Sequence, residues 1–219
     1  MKRVLCAVML LVLTAAAVNG MAEASGLFSQ DEQGVIHFCD LAWDADLDTV
    51  VETIENATGL EAWMNGDSVE DGLLFVDSDL IQLPELSEDC YLVLIGLGPE
   101  ADGNWWVECQ LVPERGQFVS ATQAADLFFD VNAGFMHLLD LDVFEGVQVL
   151  YPEDYAGERI IDEQETYGGL LDAWIETVEE EGVCVDLIMY YGNATIALES
   201  LELEGNPMLY TCWLTMYPN

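Results

Sequence analysis

Cationic side chains are almost missing from this sequence. Four lysines and arginines stand against 42 aspartates and glutamates, for a formal net charge of −38. The only lysine is Lys2, and beyond Arg3 the only cations are Arg115 and Arg159. A protein grips nucleic acid by neutralising phosphates with cations, so nucleic acid is excluded as a partner. Anionic lipid headgroups are excluded on the same ground. No lysine is left for a Schiff base or a Ser-Lys dyad in the body of the chain.

Other motifs are missing too. The two histidines, His37 and His137, have no second histidine at ligand spacing, which argues against a zinc hydrolase. There is no Gly-x-Ser-x-Gly elbow. Gly96-Leu97-Gly98 leads into a turn rather than a helix, so it is not a phosphate-cradling loop. His37 and Cys39 share a face if their strand is regular and could form a Cys–His dyad, but a packed or edge histidine is the simpler reading. Carboxylate pairs could run glycoside hydrolysis. With 42 acids such pairs arise at every spacing and discriminate nothing. The chain reads as non-enzymatic, with a carboxylate-based hydrolase as the last alternative.

Long apolar runs are confined to the N-terminus. Lys2 and Arg3 precede a run of Leu, Val and Ala from Val4 to Val18, and Met21-Ala22-Glu23-Ala24 has the small-x-small form that signal peptidase accepts. The run is short of the ~20 residues a spanning helix needs, and no basic flank follows it. The expectation is a signal peptide of bacterial style over 1–24, cleaved near Ala24, and a secreted, periplasmic or cell-envelope product with no transmembrane segment.

The acidity has three readings: solvation, for instance in a salty medium that screens self-repulsion; multivalent cation binding by clustered carboxylates; or docking onto a basic partner. The acids are spread along the whole chain, which favours solvation. Disorder is excluded, because 52% of residues are hydrophobic and their positions are periodic. Cys39, Cys90, Cys109, Cys184 and Cys212 lie in apolar, strand-like runs without any Cys-x-x-Cys pair. They can be buried free thiols, or one or two disulfides permitted by export. With Cys6 removed in the signal peptide, the odd count of these remaining cysteines leaves at least one thiol outside any bridge within the chain.

The pattern then predicts an element order. Val35 to Cys39 reads as a strand; Asp46 caps a helix with Leu47, Val50, Val51, Ile54 and Thr58 on one face, and Gly59 stops it. Leu73–Val76, Tyr91–Leu97 and Asn104–Val112 are strands, the last sending Trp105, Val107, Cys109 and Leu111 one way and Trp106, Glu108 and Gln110 the other. Ser120-Ala121-Thr122-Gln123 is a capping box opening a helix expected to break or bend near Gly134. A strand over Gly146–Tyr151 follows. Tyr167, Leu170, Leu171, Trp174, Ile175 and Val178 form one helical stripe. Its last turn carries Glu179-Glu180-Glu181 at the wrong end for the dipole and should fray unless a cation or partner neutralises it. Three strands close the chain, Cys184–Tyr191, Ala194–Leu203 and Leu209–Tyr217, with a hairpin at Gly192-Asn193. The fold class is α+β, helices packed on antiparallel meanders. Two organisations fit: a helix-plus-sheet unit over 25–151 followed by a helix and three-stranded meander over 152–219, or one continuous domain. A helix followed by a meander occurs twice, as duplication of one unit would produce.

Trp43-Asp44-Ala45-Asp46-Leu47-Asp48-Thr49-Val50 resembles the pattern Trp-Gly-x-Ser/Thr-x-x-Glu-Val, found where a short helix meets a sheet in exported domains of the β-lactamase-inhibitor-protein type and their small outer-membrane-lipoprotein relatives. It departs from that pattern at Asp44, where the family has Gly, and at Asp48-Thr49, where the family places its acid one residue later. The resemblance implies a protein-binding module without catalysis.

Among site candidates, Asp44, Asp46 and Asp48, with Glu52 and Glu55 beyond, place oxygens at the early and last positions of an EF-hand-like calcium loop. Thr49 occupies the position that loop reserves for glycine, and a helix over 47–58 would splay the side chains. Asp77-Ser78-Asp79 and Asp140-Leu141-Asp142 offer less. Trp106, on the polar face of its strand, is the candidate for stacking on a sugar ring, against the simpler reading of a tryptophan covered by a neighbour. Asn56-Ala57-Thr58 and Asn193-Ala194-Thr195 match the glycosylation triplet by chance. The expectation is an exported binding domain without cofactor whose partner is a protein, with calcium or glycan binding as the alternative.

Overall fold

A computed structural model describes residues 26–100, 103–141, 145–153, 155–157, 161–162, 166–203 and 206–218. Segment 1–24, Asp142, Arg159 and the side chains of Asp77 and Asp79 lie outside the described residues.

Strands β1 (Phe28–Gln30) and β2 (Ile36–Phe38) pair into a small ribbon. Helix α1 (Leu47–Thr58) starts at Asp46, whose carboxylate accepts the Thr49 N–H at 2.9 Å, and ends at Gly59, at φ 76°. Its buried Val50 and Ile54 anchor it to the core, each at roughly 1.5–3 kcal/mol of transfer free energy.

The main sheet has eight strands. β3 (Ala62–Met64), β4 (Leu73–Gln82), β5 (Tyr91–Pro99) and β6 (Trp105–Val112) form one antiparallel meander; β7 (Gly146–Leu150), β8 (Asp186–Tyr191), β9 (Ala194–Leu203) and β10 (Asn206–Met216) form another. The order across the sheet is β3-β4-β5-β6-β10-β9-β8-β7, so the last strand of each meander meets the other at the centre. There Leu111 faces Cys212, and Val107 faces Met216. The order reads the same from either edge, as two copies of one unit related by a two-fold axis would give. Pairing of β6 with β10 joins strands from both sides of residue 151 in one sheet.

Helices α2 (Ala121–Leu138) and α3 (Tyr167–Glu179) pack against each other, and α2 lies on β9 and β10. Ser120 caps α2 through the Gln123 N–H, while Gln123 reaches back to the N–H of Val119. Of the break or bend expected near Gly134, the break does not occur; α2 is continuous through that residue. The glycine is needed for contact, because a Cβ there would lie 1.9 Å from the Leu86 carbonyl oxygen. Nor is the end of α3 left without compensation. Glu179 accepts the N–H of Ala121 at 3.2 Å, so its charge sits at the positive end of α2.

Leu170, Leu171, Trp174 and Val178 are buried, and the Trp174 indole donates to Val185 O at 2.9 Å. The helix side of the sheet holds the main core, including Val107, Cys109, Leu111, Leu198 and Leu214. The other side is not bare. Tyr91, Val93, Val112 and Trp213 form a second buried cluster there, so the sheet centre is covered on both faces. Several buried polar groups are matched, although the Trp43 indole N–H and the Glu85 carboxyl oxygens are not. Asn132 accepts the Tyr191 hydroxyl and donates to Phe128 O, and Ser200 bridges the N–H and C=O of Val185.

Candidate binding cleft

The segment before α1 is tied down by Trp105. Its N–H donates to Trp43 O at 2.8 Å, and its indole donates to Ala45 O at 2.9 Å. This fixes where α1 begins and disperses the proposed calcium ligands. Asp46 is engaged as the helix cap, and the Thr49 N–H holds its carboxyl below the usual range. Asp48 lies in the first helical turn and Asp44 in the turn before it, so the three carboxylates do not converge into a group that could hold an ion. The helix that starts at Leu47 is the reason, because it turns successive side chains away from one another.

Trp106 is half-buried, with its indole lying across strand β5; a Cβ on Gly98 would come within 2.3 Å of its Nε1. At least one ring face is therefore covered by backbone. His37 does not pair with Cys39. Its ring stacks on Trp43 at 5.7 Å, with Nδ1 at 3.1 Å from Leu41 O and Nε2 at 3.3 Å from Asp31. Cys39, Cys90, Cys109, Cys184 and Cys212 are free thiols. Burial, with the charge of Asp40 next, pushes Cys39 up to about 12, and burial raises Cys90, Cys109, Cys184 and Cys212 as well. Such thiols are poor nucleophiles. Asn193 is buried, its carboxamide bonded to Ile36 and Tyr217, and Asn56 lines the cleft described next.

Between α1 and β3 lies a cleft of about 380 Å³. Leu47, Val51, Ala62, Val69 and Leu73 give it an apolar floor. Asp48, Glu52 and Glu55, spaced four and three residues apart on α1, make an acidic rim. Trp63 and Met64 form the lip, 61% and 56% exposed. Large hydrophobic side chains this exposed, adjacent and beside a cleft, differ from single scattered ones such as Val119.

Strand β3 is an edge of the eight-stranded sheet. The N–H of Asn65 bonds to Gly72 O at 3.0 Å, and Trp63 stands opposite Leu74. Antiparallel pairs alternate, so the N–H and C=O groups of Ala62 and Met64 point away from β4, to the open edge. Glu55 meets one of them, accepting the Ala62 N–H at 3.0 Å.

The sequence named Asp48, Glu52 and Glu55 for calcium and overlooked Trp63 and Met64. Their only local signal is a Trp-Met pair between the helix stop Gly59 and the turn Asn65-Gly66-Asp67. Among the described residues, no helix is long and apolar enough to cross a membrane. No protein-family profile, curated protein or solved structure matches the chain.

Proposed function

We propose that this is an exported, strongly acidic, non-enzymatic domain that binds another protein through the α1–β3 cleft. The observation that carries the reading is the exposed Trp63–Met64 pair on a sheet edge, beside an apolar floor and an acidic rim. Aromatic and methionine side chains are enriched at protein interfaces, whereas acids such as Asp and Glu are depleted from their centres and suit a rim. The resemblance of Trp43–Val50 to exported inhibitor-type domains supports the same reading. So does the low reactivity of the buried thiols, which leaves no activated nucleophile among them.

The test is capture from the secreted proteins of the source organism, comparing the wild type with a Trp63→Ser/Met64→Ser variant of equal thermal stability. A protein captured by the wild type and lost by the variant is the expected result. An identical captured set, or none, would overturn the assignment of this cleft.

A further inference from the structure

We infer that the cleft receives an extended, cationic peptide segment of its partner, which adds to β3 as a ninth strand. The inference rests on the protein-binding reading and specifies how the partner is held. Three features of one place agree. The outward N–H and C=O of Met64 offer a main-chain bonding site at the sheet edge. Asp48, Glu52 and Glu55 form a row of carboxylates beside that edge. The apolar floor beneath them takes an uncharged side chain, or the aliphatic stem of a lysine or arginine.

Charge selects the occupant. A second copy of this chain would bring another −38 to the edge and is repelled. An acidic or neutral segment would bury the rim carboxylates without a counter-charge. A segment alternating basic and apolar residues turns every second side chain toward α1, and the basic set meets both requirements, with its aliphatic stems on the floor and its charges at the rim. At about 380 Å³ the cleft is at the small end of ligand pockets, which run ~300–1,000 Å³, and suits one or two side chains of a longer segment. Glu55 already holds the Ala62 N–H, so the added strand bonds at Met64 while Glu55 guards the neighbouring position.

The probe is a blocked hexapeptide of alternating lysine and valine, titrated calorimetrically onto the protein. Two further versions carry N-methyl groups on the lysines only or on the valines only. Strand addition uses the N–H groups of alternate residues, so one methylated version should lose about tenfold or more in affinity while the other binds like the parent. Met64→Pro, which removes the outward N–H, and Asp48→Asn/Glu52→Gln should each cost about tenfold. Equal binding of all three peptides would overturn strand addition and leave only charge attraction, with protein binding through the cleft still standing. Failure of every peptide to bind would also overturn this inference, and the capture experiment would then decide separately whether the cleft binds protein. If Met64→Pro does not fold, the methylation pattern decides alone.

Discussion

Glu179, in the last turn of α3, accepts the backbone N–H of Ala121, the first residue of α2. A carboxylate that opposes its own helix dipole thereby satisfies another's. Ala121 is fully buried, so its N–H has no easy recourse to water. Glu179→Ala should cost about 1 kcal/mol in denaturant unfolding, the usual scale of a lost N-terminal cap. Glu180→Ala or Glu181→Ala should be neutral or slightly stabilising, because each removes a like charge from the α3 terminus. Equal effects at all three positions would contradict the capping role.

Asn193 joins three parts of the chain. Its Oδ1 accepts the Ile36 N–H at 2.8 Å, and its Nδ2 donates to Ile36 O at 2.9 Å and Tyr217 O at 2.8 Å. Asn193→Ala strands these backbone groups in a buried site and should destabilise by about 2–3 kcal/mol, measured by chemical denaturation. Asn193→Asp should be worse at neutral pH, because a carboxylate oxygen then faces two carbonyl oxygens.

Helix propensity alone says that Gly134→Ala stabilises α2, by about 1 kcal/mol. The Leu86 carbonyl reverses the sign. The variant should lose about 1–3 kcal/mol, since the backbone of the Leu86 turn must move. A thermal melt of this variant against an exposed Gly168→Ala control, where nothing lies near the added methyl, checks it.

Among the described residues both carboxyl oxygens of Glu85 are buried without a matched hydrogen-bond partner, and burial, which outweighs the residue's own backbone N–H, raises the carboxyl above its ordinary range. A folded-state value above the unfolded one penalises the folded state once pH rises past both, and the penalty vanishes below the unfolded value. Glu85→Gln should therefore raise Tm near neutral pH by about 1–2 °C, a small effect because solvent screens a half-buried residue. The difference from wild type should close as pH falls below about 4. A gap that stays constant or widens in acid would contradict the burial penalty.

Cys90, Cys109 and Cys212 are buried, and Cys39 is raised to about 12. Native protein at mildly alkaline pH should resist alkylation at these four positions. In denaturant all four should react together, as mass spectrometry would show. Cys184, more exposed and beside Met208 Sδ at 3.5 Å, should react first.

Local chemistry was readable wherever it was local. Asp46, Ser120 and Gly59 mark helix ends by their own side chains or lack of one, and the stripe from Tyr167 to Val178 shows its period over three turns. Phe28–Gln30 and Ala62–Met64 were not readable, since three residues carry no period and, unlike Ile36–Phe38, neither lies in a longer apolar, strand-like run. Gly134 does not end α2, and its packing role was not readable, because the cause is 48 residues away, at the Leu86 carbonyl that no local pattern reveals. The cleft followed the same rule. Asp48, Glu52 and Glu55 were visible as acids in a row, but that they border an edge strand depends on how α1 packs.

The meeting of β6 and β10 has a consequence for assembly. Cys212 must find Leu111 across about a hundred residues of chain, and every residue of that central seam on one side comes from β10. During synthesis the first meander precedes its partner, so β6 stays a raw margin until β10 arrives. Deleting β10 would not remove a dispensable edge strand. It would split the sheet down the middle and part Leu111, Cys109 and Val107 from their cross-strand neighbours at once.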